Sequence, residues 1–157
     1  MKKQFALIFT ILFVVITACA QPKPTVKPVV KQPKHELEKI LTGIGLPYKI
    51  VGDSLAVIPY EGEHIKSFQV VIQQISDLYI VLSNLTEAMP DKIGEANYKY
   101  LLQQNINFDF VKIGINSDDN TIALRADLYK AGTNTALLKR IIAQVANVTN
   151  IIAGDLK

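Results

Sequence analysis

INFDFVKIGINSDDNTIALRADLY, residues 106–129, is the stretch that decides the predicted fold. Its first part, INFDFVKIGI, and its last part, TIALRADLY, alternate between apolar and polar residues as half-buried β-strands do. The link between them, NSDDN, is rich in turn-forming residues, so we predict a β-hairpin. In the second strand one face carries Ile122, Leu124, Ala126 and Leu128, and the other face carries Arg125 and Asp127.

A helix is predicted on each side of this hairpin. Before the hairpin, TEAMPDKIGEANYKYLLQQN has helical spacing, and Asp91 lies near its start as a cap or a partner of the helix dipole. After the hairpin, Thr133 or Asn134 can cap a long helix that Gly154 is expected to end. The apolar positions are Ile93, Ala96, Tyr100 and Leu101 in the first helix, and Leu138, Ile141, Ile142, Val145, Val148 and Ile152 in the second.

The residues before the hairpin predict a helix followed by an antiparallel meander. HELEKILTGIG has apolar residues at helical spacing, and YKIVGDSLAVIPY carries β-branched residues around the turn at Gly52. Two further strands, IKSFQVVIQQI and LYIVLSNL, follow with short links. We expect Phe68, Val70 and Ile72 of the first and Leu78, Ile80 and Leu82 of the second to face the core, with Val71, Tyr79 and Val81 on the opposite face.

These elements predict an α+β fold in the order α-β-β-β-α-β-β-α. An antiparallel sheet of about five strands would carry its helices on one face. The other face of such a sheet meets either water or a partner molecule. We expect that face to include Tyr79, Val81, Val71, Arg125 and Asp127, and to mediate self-association or the capture of a polypeptide.

Several phrases of this region resemble a known family. LEKILTGIGLPYKI, GEANYKYLLQQNINFDFVKIGIN and DNTIALRADLY resemble the YbjN family, which shares the fold of type III secretion chaperones. The resemblance covers nearly all of residues 35–157 and implies a chaperone-like domain that presents a surface to a polypeptide, often as a dimer. The residues that match the family pattern are Leu101, Leu102, Asn105, Lys112, Gly114, Asp118, Asp119 and Asp127.

The N-terminus predicts export and lipidation. Two lysines precede an apolar run at residues 5–18 that is shorter than the roughly 20 residues a spanning helix needs, as in a secretory signal peptide. The run ends in ITAC, which resembles the lipobox of bacterial lipoproteins, so residues 1–18 are the predicted signal and Cys19 is the predicted lipidation site. An Asp directly after the cysteine would resemble an inner-membrane retention signal. This chain has Ala20 at that position, which favours the outer membrane. We therefore expect a membrane-anchored protein of the bacterial cell envelope.

A tether at residues 19–34 is predicted to separate the anchor from the domain. CAQPKPTVKPVVKQPK contains four prolines and four lysines and too few apolar residues to fold, and prolines favour an extended chain. Of the 17 basic residues, two lie in the signal and four in the tether, which leaves 11 against 14 acidic residues in 35–157. The domain is thus acidic, and this argues against a nucleic-acid partner.

The domain offers little catalytic chemistry. His64 lies beside Glu61 and Glu63 in the turn EGEH. A metal site on one such turn would lack rigid neighbouring groups to hold its ligands in position. We expect no metal, no cofactor and no enzyme activity. Two hypotheses follow: a non-catalytic binding module with an unidentified protein partner or a second copy, and, as the alternative, an envelope hydrolase that uses His64 with its acidic neighbours.

Overall fold

The structure is a computed structural model that describes residues 36–89, 95–116 and 118–156. These residues belong to one compact unit. The predicted signal peptide (1–18), the tether (19–34) and Cys19 lie outside the described residues, as do Asp91 and Ile93. The predicted boundary at residue 35 therefore stays a prediction.

The described chain contains four α-helices, six β-strands and one 3-10 turn. The short helix α2 begins with a side-chain cap, because the Asn84 amide oxygen accepts a hydrogen bond from the N–H of Glu87. Asn134 caps α4 in the same way through the N–H of Leu137. In chain order the elements are α1 Glu36–Thr42, β1 Lys49–Val51, β2 Leu55–Tyr60, β3 Phe68–Ile75, β4 Leu78–Asn84, α2 Leu85–Ala88, α3 Glu95–Gln104, β5 Lys112–Ile115, β6 Ile122–Tyr129, the 3-10 turn Lys130–Gly132 and α4 Thr135–Asp155.

The six strands form one antiparallel sheet in the order β1-β2-β3-β4-β6-β5. The predicted hairpin of β5 and β6 is confirmed. Lys112 pairs with Arg125 at one end of it, and Ile115 pairs with Ile122 at the other. Its turn is closed by the N–H of Asn116, which donates to the carbonyl of Thr121, and Asn120 adopts a positive φ of 55°. Because the hydroxyl and the N–H of Thr121 both donate to Asp119, the pKa of that carboxyl group is lowered.

The helices cover one face of the sheet, which we call the inner face. Buried residues of α1, α3 and α4 join alternate residues of β2, β3, β4 and β6 in a single apolar core. Helix α4 has nine buried residues, and eight of them, all except Thr149, belong to this core. By length and composition α4 could also cross a membrane, but half of its apolar window is buried in the domain, as expected for the core helix of a folded protein.

The predicted α+β class with helices on one face of an antiparallel sheet is confirmed, and three details differ. The sheet has six strands rather than about five, because YKIVGDSLAVIPY folds as β1 and β2 around Gly52, whose φ is +64°. Helix α2 was not predicted. Helix α4 continues to Asp155, so Gly154 lies inside its last turn instead of ending it.

Candidate protein-binding surface

The face of the sheet opposite the helices, which we call the outer face, is the candidate surface. Its residues alternate with those of the core and follow the strand register from β1 to β5. Of the described residues that form the core or pack against it, none comes from this face. The outer face includes Lys49, Val51, Leu55, Val57, Gln69, Val71, Gln73, Ile75, Leu78, Ile80, Leu82, Lys112, Arg125, Asp127 and Tyr129.

The centre of the outer face is aliphatic. Ile80 is only 5% exposed, and the adjoining Leu78 and Leu82 are half-buried. At the margin, Val51 and Ile75 are exposed. We call the aliphatic centre the outer patch, and it consists of Leu55, Val57, Val71, Leu78, Ile80 and Leu82.

Three of the five residues predicted for this face lie on it. Val71 is half-buried within the outer patch, and Arg125 and Asp127 are exposed beside it on β6. The Nε atom of Arg125 lies 2.7 Å from the Asp127 carboxylate, and both side chains are about half exposed. An exposed ion pair of this kind contributes roughly 0–1 kcal/mol to stability. The strand register places these three residues on the outer face, and their role in binding stays a prediction.

The predicted placement of the other two residues, Tyr79 and Val81, is wrong. Both lie on the inner face, where Tyr79 is 3% exposed and Val81 is 0% exposed. The register explains the reversal, because Tyr79 pairs with Leu128 and Val81 pairs with Ala126, two core residues of β6. Burial of its ring, with a smaller effect of the Glu36 charge, raises the pKa of Tyr79.

Two shallow hollows lie beside the outer patch. The hollow next to the β5 edge has a volume of about 350 Å³ and is lined by Phe110, Lys112, Ile113, Gly114, Arg125 and Asp127. The hollow next to α2 has a volume of about 170 Å³, and its lining includes Gln69, Val71, Asn84 and Glu87. Charged or polar groups therefore border the aliphatic centre on both sides.

The outer edge of β5 is closed by a side chain. The Asn105 amide nitrogen donates to the carbonyl of Ile113 at 3.0 Å, and its amide oxygen accepts from the N–H of Ile113 at 2.6 Å. The Lys112 ammonium group donates to the carbonyls of Asn105 and Phe108, which holds the turn after α3 against the strand. Because Asn105 occupies both backbone groups of Ile113, a further strand cannot pair there. The sequence pattern contained Asn105 and Lys112 but gave no sign of these contacts.

His64, the base in the alternative enzyme hypothesis, packs against α4. The backbone N–H of His64 donates to the side-chain oxygen of Asn150 at 2.9 Å. A Cβ atom added to Gly154 would lie 2.6 Å from the imidazole Cδ2 atom, so the ring rests on the backbone of the helix. Neither hollow beside the outer patch includes His64 in its lining. Within the described residues no group of three His, Cys, Asp or Glu side chains could hold a metal ion, and this includes Glu61 and Glu63.

Comparison with known proteins identifies the fold. No protein-family model and no curated protein sequence matches the chain. The crystal structure of E. coli YbjN, described as a proposed transcription regulator, aligns with a TM-score of 0.55 and 14% identity over 76% of this chain and 89% of that one. The fold is chaperone-like. In the ExsC–ExsE complex, the aligned chain gives a TM-score of 0.57 and 14% identity over 75% of this chain and 88% of that one.

A third structure, the HopA1–SchA chaperone–effector complex, aligns with a TM-score of 0.53 and 8% identity over 71% of this chain and 84% of that one. At identities this low the likeness establishes the fold only. The expected resemblance to YbjN and to type III secretion chaperones is therefore confirmed at the level of the chaperone-like fold.

Proposed function

We propose that this chain is a lipid-anchored protein of the bacterial cell envelope whose chaperone-like domain binds a polypeptide and catalyses no reaction. The observation that carries the proposal is the outer patch, an aliphatic surface that no described helix covers. Large apolar patches on a folded domain mark sites of interaction with other macromolecules. A mixed border of Lys49, Lys112, Arg125 and Asp127 around an apolar centre is typical of a protein interface.

The structural neighbours support a polypeptide as the ligand. Two of the three are complexes of two proteins, and one of these is named as a chaperone with its effector. Their likeness to this chain lies in the fold, and the transfer of a binding role is our proposal. His64 packs against α4 and lines neither of the two described hollows, which favours the binding role over the hydrolase alternative.

Site-specific crosslinking in cells tests the binding role. A photoreactive amino acid placed at Val71, in the outer patch, should yield crosslinked adducts with another polypeptide. The matched control is Ala143, an exposed residue on α4 at the opposite side of the domain, where the same amino acid should yield none. Equal crosslinking at both positions, or none at Val71 in cells that contain the folded protein, would refute the proposal.

The anchor is tested separately at Cys19. Stable membrane attachment requires two or more acyl chains, and each buried CH₂ contributes about 0.8 kcal/mol. Cys19→Ala removes the proposed attachment point, so the protein should move from the membrane fraction to the soluble fraction. A variant that still sediments with membranes after a high-salt wash would show that the lipoprotein interpretation is wrong.

A further inference from the structure

Charged and aliphatic residues are arranged in an ordered pattern on the outer face. One row of residues crosses all six strands as consecutive partners: Lys49, Val57, Val71, Leu82, Arg125 and Lys112. Aliphatic side chains occupy the middle of this row, and cations occupy both ends. The next row along the strands contains Val51, Leu55, Gln73, Ile80 and Asp127.

From this pattern we propose that the outer patch binds an amphipathic α-helix of a partner protein that carries acidic side chains on both flanks of its apolar stripe. The inference rests on the proposed polypeptide-binding function and names the element that is bound. It differs from a general apolar contact because it specifies the conformation of the partner and the sign of its charge.

The conformation follows from hydrogen bonding. A chain that lies across the outer patch leaves its own backbone groups against aliphatic side chains, and unpaired backbone groups in such a place are costly. Strand addition at β5 is blocked where Asn105 occupies both backbone groups of Ile113. A helix satisfies its backbone internally and would form a second helical layer on the face of the sheet that no described helix covers.

The dimensions agree with a helix. Lys49 and Arg125 are separated by four strand spacings of about 4.8 Å, or about 19 Å. A helix with its side chains is about 10–12 Å wide, so it fits between these cations and leaves each within reach of a glutamate on the facing flank. Along the strands, the patch from Val71 to Ile75 and from Leu82 to Leu78 accommodates about ten helical residues.

The charges argue against a second copy of this chain as the occupant. In the two rows the cations Lys49, Lys112 and Arg125 outnumber the single acid, Asp127. Two outer faces brought together would place like charges at their shared borders, which opposes association. A helix with glutamates on both flanks meets the same border with opposite charge.

Two designed peptides test the inference with the purified full chain. Both are fluorescently labelled 14-residue helices with the same leucine stripe, one with glutamate and the other with lysine on its flanks. Fluorescence anisotropy should show at least tenfold tighter binding of the glutamate peptide. Lys49→Glu should reduce this preference, and Leu82→Glu should weaken binding of the glutamate peptide at least tenfold. Ala143→Glu on α4 is the matched control and should leave binding unchanged.

Several results would overturn the inference. These are equal affinity for the two peptides, no binding of either, or binding that Leu82→Glu and Lys49→Glu leave unchanged. A wild-type dimer that Leu82→Glu converts to a monomer would identify a second copy as the occupant instead. If Val71 forms crosslinks to another polypeptide but the peptide test fails, this inference is refuted and the proposed function stands.

Discussion

At the scale of single residues, Asn105 supplies β5 with hydrogen bonds that a neighbouring strand would otherwise make. Its amide group both donates to and accepts from the backbone of Ile113. Edge strands are exposed to unwanted pairing, and folded proteins protect them in several ways. Here the protection comes from a side chain just after helix α3, which also fixes the path of the chain between α3 and β5.

We predict that Asn105→Asp destabilises the domain by about 1–3 kcal/mol, because the carboxylate cannot donate to the carbonyl of Ile113 and places an oxygen against it. Urea unfolding followed by circular dichroism measures the change. Asn107→Asp is the matched control, since Asn107 is exposed and its side-chain amide donates to the side chain of Gln104, and it should change stability by less than about 0.5 kcal/mol. Equal losses in both variants would contradict this role of Asn105.

The role of Asn105 could not be predicted from its position in the sequence pattern. Its partner, Ile113, is eight residues away, and the contact depends on how the intervening turn folds. The exposed pair of Arg125 and Asp127 was predictable, because strict alternation along β6 places both on one face. Alternation along a strand thus predicts part of the candidate surface. It does not predict contacts that depend on how a turn folds.

At the scale of whole elements, strand β4 is one for which sequence periodicity cannot predict which residues face the core. Leu78 to Leu82 is a run of five apolar residues, so an alternating pattern fits the core to either face equally well. The phase comes from the neighbouring strand, where Ala126 and Leu128 are core residues and pair with Val81 and Tyr79. The pairing with β3 gives the same phase, because Val81 also pairs with Ile72, a core residue of β3. The pairing of β4 with its two neighbouring strands therefore decides which side of β4 is inner.

Helices α3 and α4 are joined by a hydrogen bond from the Tyr100 hydroxyl to the Asp155 carboxylate. Burial, this hydrogen bond and the Asp155 charge together raise the pKa of Tyr100 from its ordinary value of 10.0 to about 12. The folded state favours the neutral phenol of Tyr100. The contribution of Tyr100 to stability is therefore fully present below pH 10 and is lost as the pH rises towards about 12.

Tyr100→Phe should therefore make the decline in stability between about pH 10 and pH 12 shallower. The decline should not vanish, since burial also raises the pKa of Tyr60 and of Tyr79. Thermal unfolding measured across this pH range gives the slope. Tyr129→Phe is the control, because Tyr129 is 70% exposed on the outer face, and it should retain the wild-type slope. An unchanged slope in Tyr100→Phe would show that the bond between the helices does not act in this way.

At the scale of the whole molecule, the domain has two layers: one of helices and one sheet with an aliphatic outer face. The inner face holds the core, and the outer face holds the outer patch without a described helix on it. Val81 and Leu82 are consecutive residues of β4 on opposite sides of this division. They have similar side chains, so the same substitution at each position isolates the effect of the face.

We predict that Val81→Glu prevents folding and that Leu82→Glu does not. Val81 is 0% exposed, and a carboxylate buried there without a partner costs several kcal/mol, which is comparable with the 5–15 kcal/mol that typically stabilises a domain. Leu82 is half-buried at the face that no described helix covers, where its replacement loses part of one aliphatic contact, or about 1–2 kcal/mol. Circular dichroism and urea unfolding compare the two proteins, with Ala143→Glu as the control for a new surface charge. If Leu82→Glu unfolded the chain and Val81→Glu remained folded, the inner and outer faces would be reversed, and the outer patch would be the core.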